Sequence, residues 1–452
     1  MSSIRIVVSD TIGFLLSNSL FLIAGTVIAL LWANIDYSGY EGIVHGAAQA
    51  QHAEAGDGAS DRHGGDDAHG DAHGGHPAPA TAPASAHEGP DAASGETEGH
   101  GTHHVSFHFI VNDILMCFFF ALAAKEIWEA LLPGGALSSP KKAATPLLAT
   151  LGGVAGPAVL YYTGTILFHA PELTRGWAIP TATDIAFSYL VARIVFGAKH
   201  PAIPFLLLLA IADDAIGLVI LAIFYPQGDM NLVLFFACVL GAIGFNLALR
   251  RFKVQNFWAY ILVAGPVSWY GFFIGGIHPA LALVPIIPTL PHAAKDIGLF
   301  AETSLDEAHR PHDALNNFEH WWKNPVEIIL MLFGFANAGV LFGNMGLATG
   351  LVSVGLLLGK PIGITLLTVI AVKVLRLEMP AGMGWKDLIV LGFMAGIGFT
   401  VALFVSTVAF PLGAFPGSMQ ALDAAKMGAL FSFSAAILSF FVAKMLGTKR
   451  LV

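Results

Sequence analysis

Charged residues are scarce in this chain: Asp, Glu, Lys and Arg make up 12% of its 452 residues, about half the roughly 25% usual in soluble domains. A string of soluble domains is therefore excluded. Cysteine is nearly absent too. Cys117 and Cys238 lie in different apolar stretches with no motif around them, so no disulfide framework and no thiolate metal site is expected. The chain also lacks a nucleotide-binding loop, a nucleophile elbow and a catalytic metal motif. No enzyme activity, cofactor or nucleic-acid partner is expected.

What is present is apolar. Hydrophobic residues make 55% of the chain and the mean hydropathy is +0.70. Apolar stretches recur from residues 11–33 to residue 446, each near the ~20 residues that a helix needs to cross a bilayer. By that rule the chain is an all-α polytopic membrane protein with about twelve transmembrane helices. The first stretch is expected to stay as a span, because it is long, follows Arg5 alone and closes on no small-residue cleavage pattern. Lys and Arg are retained on the cytoplasmic side of short loops. With the N-terminus inside, most of the 22 basic residues fall on that side and only Arg62, Arg175 and Lys426 fall outside. Both termini are then cytoplasmic, with the lipid bilayer around the spans.

One segment breaks the apolar pattern. Residues 45–104 contain no Val, Ile, Leu, Met or aromatic residue, so they cannot bury enough apolar surface to offset chain entropy. Disorder is expected there. The resulting division is 1–40 (N-terminus and first span), 41–106 (extracytoplasmic insert), 107–289 (spans two to eight), 290–324 (cytoplasmic loop) and 325–452 (spans nine to twelve). The insert carries ten acidic residues against one basic, a difference equal to the chain's net charge of −9. It also carries ten histidines. Patterns such as His69-Gly-Asp-Ala-His73 and His103-His104 could bind a transition metal weakly, and their titration could sense external pH. A solvated tether is the blander reading, since no fixed ligand geometry is specified.

Within the apolar stretches, a few ionisable groups persist against an insertion cost of ~2.5–3.5 kcal/mol each. They are Asp113, Asp184, the adjacent pair Asp213-Asp214, and Lys360. Neighbours on a helix point about 100° apart, so Asp213 and Asp214 cannot aim at one partner. One can face an ion while the other meets an adjacent helix. Carboxylates held together in a low dielectric also resist joint ionisation, so proton release can be coupled to cation arrival. Two spans carry breaking signals. The fourth holds Pro180 and Thr183-Asp184, and the eleventh holds Gly396-Ile-Gly398. Unwound backbone at membrane depth is tolerated only inside protein or along a water-filled cavity.

These residues resemble the NhaA family of sodium/proton antiporters. The similar segments are Asn112-Asp113-Ile-Leu-Met116, Gly176-Trp-Ala-Ile-Pro-Thr-Ala-Thr-Asp-Ile-Ala-Phe187, Ala210-Ile-Ala-Asp-Asp-Ala-Ile-Gly217, Gly276-Ile-His-Pro279, Phe335-Ala-Asn-Ala-Gly-Val340, Gly359-Lys-Pro-Ile-Gly363 and Gly396-Ile-Gly-Phe-Thr400. Interrupted helices in both halves are a general mark of a transporter's binding site, a rule drawn in part from this same family. The resemblance implies inverted repeats with two discontinuous helices, the fourth and the eleventh. It implies electrogenic, pH-regulated exchange of cytoplasmic Na+ and Li+ for external H+, and it raises a homodimer as a partner state. Asp214 is then the main ion ligand, with Asp213 beside it and Thr183 in support. Asp184 and Lys360 compensate charge at the helix crossing, Lys360 meeting either the opposing helix ends or Asp213. Glu126, Glu327 and His278 are the pH-regulation candidates. The surroundings Lys125-Glu126-Ile-Trp-Glu129 and Asn324-Pro-Val-Glu327 depart from the family pattern. Two other functions compete with exchange: a divalent-metal transporter with the histidine insert as collector, and a non-transporting sensor on the same scaffold.

Overall fold

The computed structural model describes residues 20–46, 106–135, 137–197, 199–228, 230–292 and 313–448. His69, His73, His103 and His104 lie outside the described residues, as do 47–105 of the insert and 293–312 of the expected cytoplasmic loop. Every regular element among the described residues is helical.

In chain order the helices are α1 (Leu20–Ile35), α2 (Tyr37–Val44), α3 (Phe107–Leu131), α4 (Pro140–Leu167), α5 (Ile185–Phe196), α6 (Ala202–Phe224), α7 (Leu232–Arg251), α8 (Phe257–Ile274), α9 (Ala314–Asn337), α10 (Leu347–Val374), α11 (Trp385–Ala395), α12 (Phe399–Ala409) and α13 (Ser418–Leu446). Among the described residues, seven are long and apolar enough to cross a membrane. The count reaches nine if two bent pairs are each taken as one span. In one pair a 3-10 segment, Pro171–Thr181, meets α5 at 53°; in the other, α11 meets α12 at 48°.

The boundaries follow local chemistry. Pro140 opens α4 at its first position, where the missing N–H costs nothing. Asn231 caps α7 by accepting from Leu234 N at 3.1 Å, and Arg250 and Arg251 fill its last turn, where cations meet the negative end of the helix dipole. Asp313 caps α9 by accepting from Asn316 N at 2.9 Å. That helix therefore starts inside the stretch 290–324 that the sequence suggested as loop. Its early turns are amphipathic, burying Phe318 and Trp322 four residues apart, so a rule that looks for a continuous apolar run passes over them.

Two packing features position the site. First, α4 and α10 cross with their backbones nearly touching, for a side chain at Gly152 would collide with Gly363 and one at Gly156 with Gly359. Small residues four apart permit this approach in membrane helices, where dispersion and not the hydrophobic effect drives association. Second, α3 and α10 each contain π-helical turns, at Ile110–Leu115 and at Gly355–Gly359. Such turns shift the helical register locally and gather at functional positions. One carries Asp113, and the other ends immediately before Lys360.

Candidate functional site

The two bent pairs meet at their breaks. The 3-10 segment ends at Thr181, and Ala182 and Thr183 are followed by Asp184 as the N-cap of α5. Facing them, α11 ends at Ala395, and Gly396-Ile397-Gly398 leads into α12. Asp184 N donates to Ile397 O at 2.7 Å. Thr183 Oγ1 donates to Ala395 O at 3.0 Å. A side chain at Gly398 would strike the Ala182 carbonyl, so this contact requires glycine.

The Asp184 carboxylate serves both helix starts. Its Oδ1 accepts from Phe187 N at 3.3 Å, inside α5. Its Oδ2 accepts from Thr400 N at 3.4 Å and from the Thr400 hydroxyl, inside α12. Two helix N-termini each present unpaired N–H groups and partial positive charge. One buried carboxylate satisfies donors from both.

Lys360 reaches toward the same crossing from α10. Its Nζ donates to Asp213 Oδ2 at 2.7 Å and to Thr183 Oγ1 at 2.5 Å, and both charged residues are buried, at 0% and 2% exposure. The lysine thus meets Asp213 and, through Thr183, the break before α5. A hydrogen-bonded ion pair of this kind offsets the desolvation that either charge alone would suffer.

Asp214 points elsewhere, as the helical angle between neighbours requires. It lines a narrow cleft whose other walls include Phe119, Phe120, Leu218, Leu221 and Val401. Its Oδ1 is buried and makes no hydrogen bond among the described residues. An unpaired buried oxygen costs roughly 1–3 kcal/mol, which a proton or a cation would relieve. The site thus holds one carboxylate tied to a lysine and, next to it, one carboxylate free to take a ligand.

A sequence model of a family described as Na+/H+ antiporter 1 matches residues 91–443. The chain is 48% identical to the Na+/H+ antiporter NhaA of Jannaschia sp., over 96% of this chain and 97% of that protein. It is 44% identical to the Desulfitobacterium hafniense protein of the same name, over 97% of each, and 41% identical to that of Geobacter sulfurreducens, over 95% of this chain and 96% of the relative. The chain belongs to the NhaA family of Na+/H+ antiporters. Its activity is Na+/H+ exchange across a membrane, and the divalent-metal and sensor readings find no support. Among the described residues, no group of three His, Cys, Asp or Glu could hold a metal ion.

The pH-regulation candidates of this NhaA member do not form one cluster. Glu126 and His278 stand at opposite ends of α3. His278 Nδ1 lies 3.9 Å from Asp113 Oδ1, and Asp113 precedes Glu126 by thirteen residues, or about 20 Å of helix. Glu327 is half-buried on α9. Sequence reasoning overlooked the importance of Lys125. It is 1% exposed and contacts Glu126 at 3.6 Å, Glu129 at 2.6 Å and Glu319 of α9 at 2.5 Å. A lysine inside a predicted span, with carboxylates one and four residues on, was the available signal. The partner on α9 could not be inferred, because the helix carrying Glu319 was taken for loop. Also overlooked were Asp423 and Lys426 of α13, both 6% exposed. The orientation rule had put Lys426 on the external side; it is buried three residues beyond Asp423, which accepts from Asn344 Nδ2 at 2.8 Å.

Proposed function

We propose that Asp214 is the residue that carries the ion, Na+ and also Li+ in one direction and H+ in the other. Asp213 and Lys360 form the adjoining charge pair, and Thr183 supplies a supporting oxygen. The observation that carries this reading is the contrast between neighbours. Asp213 is held by Lys360 at 2.7 Å, whereas Asp214 places an unbonded oxygen beside an apolar cleft. A hard monovalent cation and a proton compete for such an oxygen, and competition for one site is what exchange requires. An arriving cation would also attract Asp213, and Lys360 is the charge positioned to answer by keeping or releasing it.

The wider reading is a protein of about twelve spans, built as inverted repeats, with both termini cytoplasmic in a bacterial inner membrane. The 3-10 segment with α5, and α11 with α12, are its two discontinuous helices. They supply the crossing against which Asp184 and Lys360 compensate charge. In support of the orientation, Arg250 and Arg251 end α7 at the side assigned to the cytoplasm. With both aspartates present, the family resemblance makes the exchange electrogenic in this reading.

Asp214→Asn keeps the shape and removes the charge. In inside-out vesicles it should abolish the dissipation of a proton gradient by added Na+ or Li+. Normal dissipation in that variant would overturn the assignment.

A further inference from the structure

A second group of buried polar residues sits at the other end of the spans from Arg250, Arg251 and Lys125, where the chain enters and leaves the insert. His45 follows α2 and His108 opens α3, so 62 residues of intervening sequence begin and end at touching rings, 4.9 Å apart between centroids. His45 Nδ1 lies 2.8 Å from Glu41 Oε1. His108 Nε2 lies 2.8 Å from Asn112 Nδ2. Asn112 and Asn337 are buried, at 2% and 0% exposure, and pair reciprocally across α3 and α9. Asn112 Nδ2 donates to Asn337 Oδ1 at 3.1 Å, and Asn337 Nδ2 donates to Asn112 Oδ1 at 2.8 Å.

The protonation state of His108 can be read from this chain of bonds. Asn337 Nδ2 also donates to Phe333 O at 3.0 Å, and a carbonyl can only accept. That contact fixes which end of the Asn337 amide is nitrogen. The reciprocal pair then fixes Asn112, whose second N–H points at His108 Nε2. An acceptor is needed there, so Nε2 carries no proton and the ring is neutral. A proton on Nε2 would oppose N–H to N–H. Turning Asn112 over would set oxygen against oxygen at Asn337, so no rearrangement of the two amides satisfies the protonated ring.

From this geometry we infer that His108 is an external proton-binding site, separate from the exchange site, whose protonation breaks the Asn112–Asn337 link and slows exchange. The charged and titratable groups that bear on it are His45 beyond α2, Lys426 on α13 and His278, with Glu41 against His45 and Asp423 three residues before Lys426. The link matters because Asn112 belongs to the π-helical turn that carries Asp113. That turn is held from outside the helix as well, Trp269 Nε1 donating to Asp113 O at 2.7 Å. Releasing Asn112 therefore frees the turn at one of its two anchors and displaces the Asp113 carboxylate beside His278. External acid steepens the inward proton gradient that drives exchange, and a brake on that face limits the acid load on the cell.

The inference rests on the exchange activity and on the orientation proposed above. The test uses right-side-out vesicles of the full chain, with the lumen clamped at about pH 8 and the external pH varied from about 8 to 5.5, the range over which histidine titrates. Wild-type Na+ efflux is expected to fall about threefold or more toward acid, against the growing driving force. His108→Gln keeps a neutral acceptor for Asn112 and should match wild type at alkaline external pH while losing the acid fall. Superimposed profiles, or no acid fall in wild type, would overturn the site. An absence of efflux at every pH would instead overturn the exchange reading. Should His108→Gln fail to fold, His45→Gln decides. It removes the ring 4.9 Å from His108 whose charge would oppose protonation there, so the acid fall should move to a more alkaline pH, and an unmoved profile rejects the inference.

Discussion

Lys360 and Asp213 meet at 2.7 Å from helices α10 and α6, and this contact distinguishes Asp213 from its neighbour Asp214, whose Oδ1 makes no hydrogen bond among the described residues. The pair is buried on both sides. Its removal in halves and its removal as a whole should therefore have opposite signs. Lys360→Met alone leaves Asp213 buried without a counter-charge, a loss of about 3–5 kcal/mol. Lys360→Met combined with Asp213→Asn removes both charges and should restore most of the stability without restoring transport. Thermal unfolding of the purified variants in detergent, read beside Na+ flux, checks this. A double variant as unstable as the single one would mean that the two residues do not act as a pair.

Gly398 allows the second relationship that the site depends on, the close approach of the α11–α12 break to the Ala182 carbonyl. Gly398→Ala places a methyl group against backbone, which cannot give way as a flexible side chain can. The crossing should open, and with it the reach from Thr400 to Asp184. We expect flux to fall at least about tenfold, a change of roughly 1.4 kcal/mol or more in the barrier, with the protein still inserted. Gly241 of α7, exposed and with open space around it, is the control: Gly241→Ala should be close to neutral. Equal effects of the two substitutions would show that the crossing is not the sensitive element.

Much of this site was legible in the sequence because buried charge in an apolar background is rare enough to stand out. Asp184, Asp213, Asp214 and Lys360 all announced themselves that way, and the 100° turn between neighbours already separated the two aspartates. What was not legible depended on register and on distant partners. The π-helical turns before Lys360 and around Asp113 leave no compositional trace, yet they set where both side chains point. The early turns of α9 were hidden because half of that helix face is polar. With them went Glu319, and so the meaning of Lys125. His45 fell in the insert and His108 at the start of the second span, and nothing in their spacing places the two rings together.

Lys125 yields the last prediction, because its three carboxylates belong to two different helices. Glu126 and Glu129 lie on its own helix, and Glu319 reaches across from α9. Glu129 is the i,i+4 partner, worth ~0.2–0.5 kcal/mol on an exposed helix and more when buried. Only Glu319 ties α3 to α9, the same two helices joined at their other ends by Asn112 and Asn337. Glu319→Gln should therefore loosen the end of this helix pair remote from Asn112 and Asn337 while Glu129→Gln leaves it closed. Cross-linking between cysteines introduced near residues 126 and 320 measures that distance directly. In a double-mutant cycle, Lys125→Met and Glu319→Gln should couple by about 0.5–3 kcal/mol, as contacting residues do. Additive effects in the cycle, together with unchanged cross-linking in Glu319→Gln, would leave Lys125 a local helix charge with no role in joining α3 to α9.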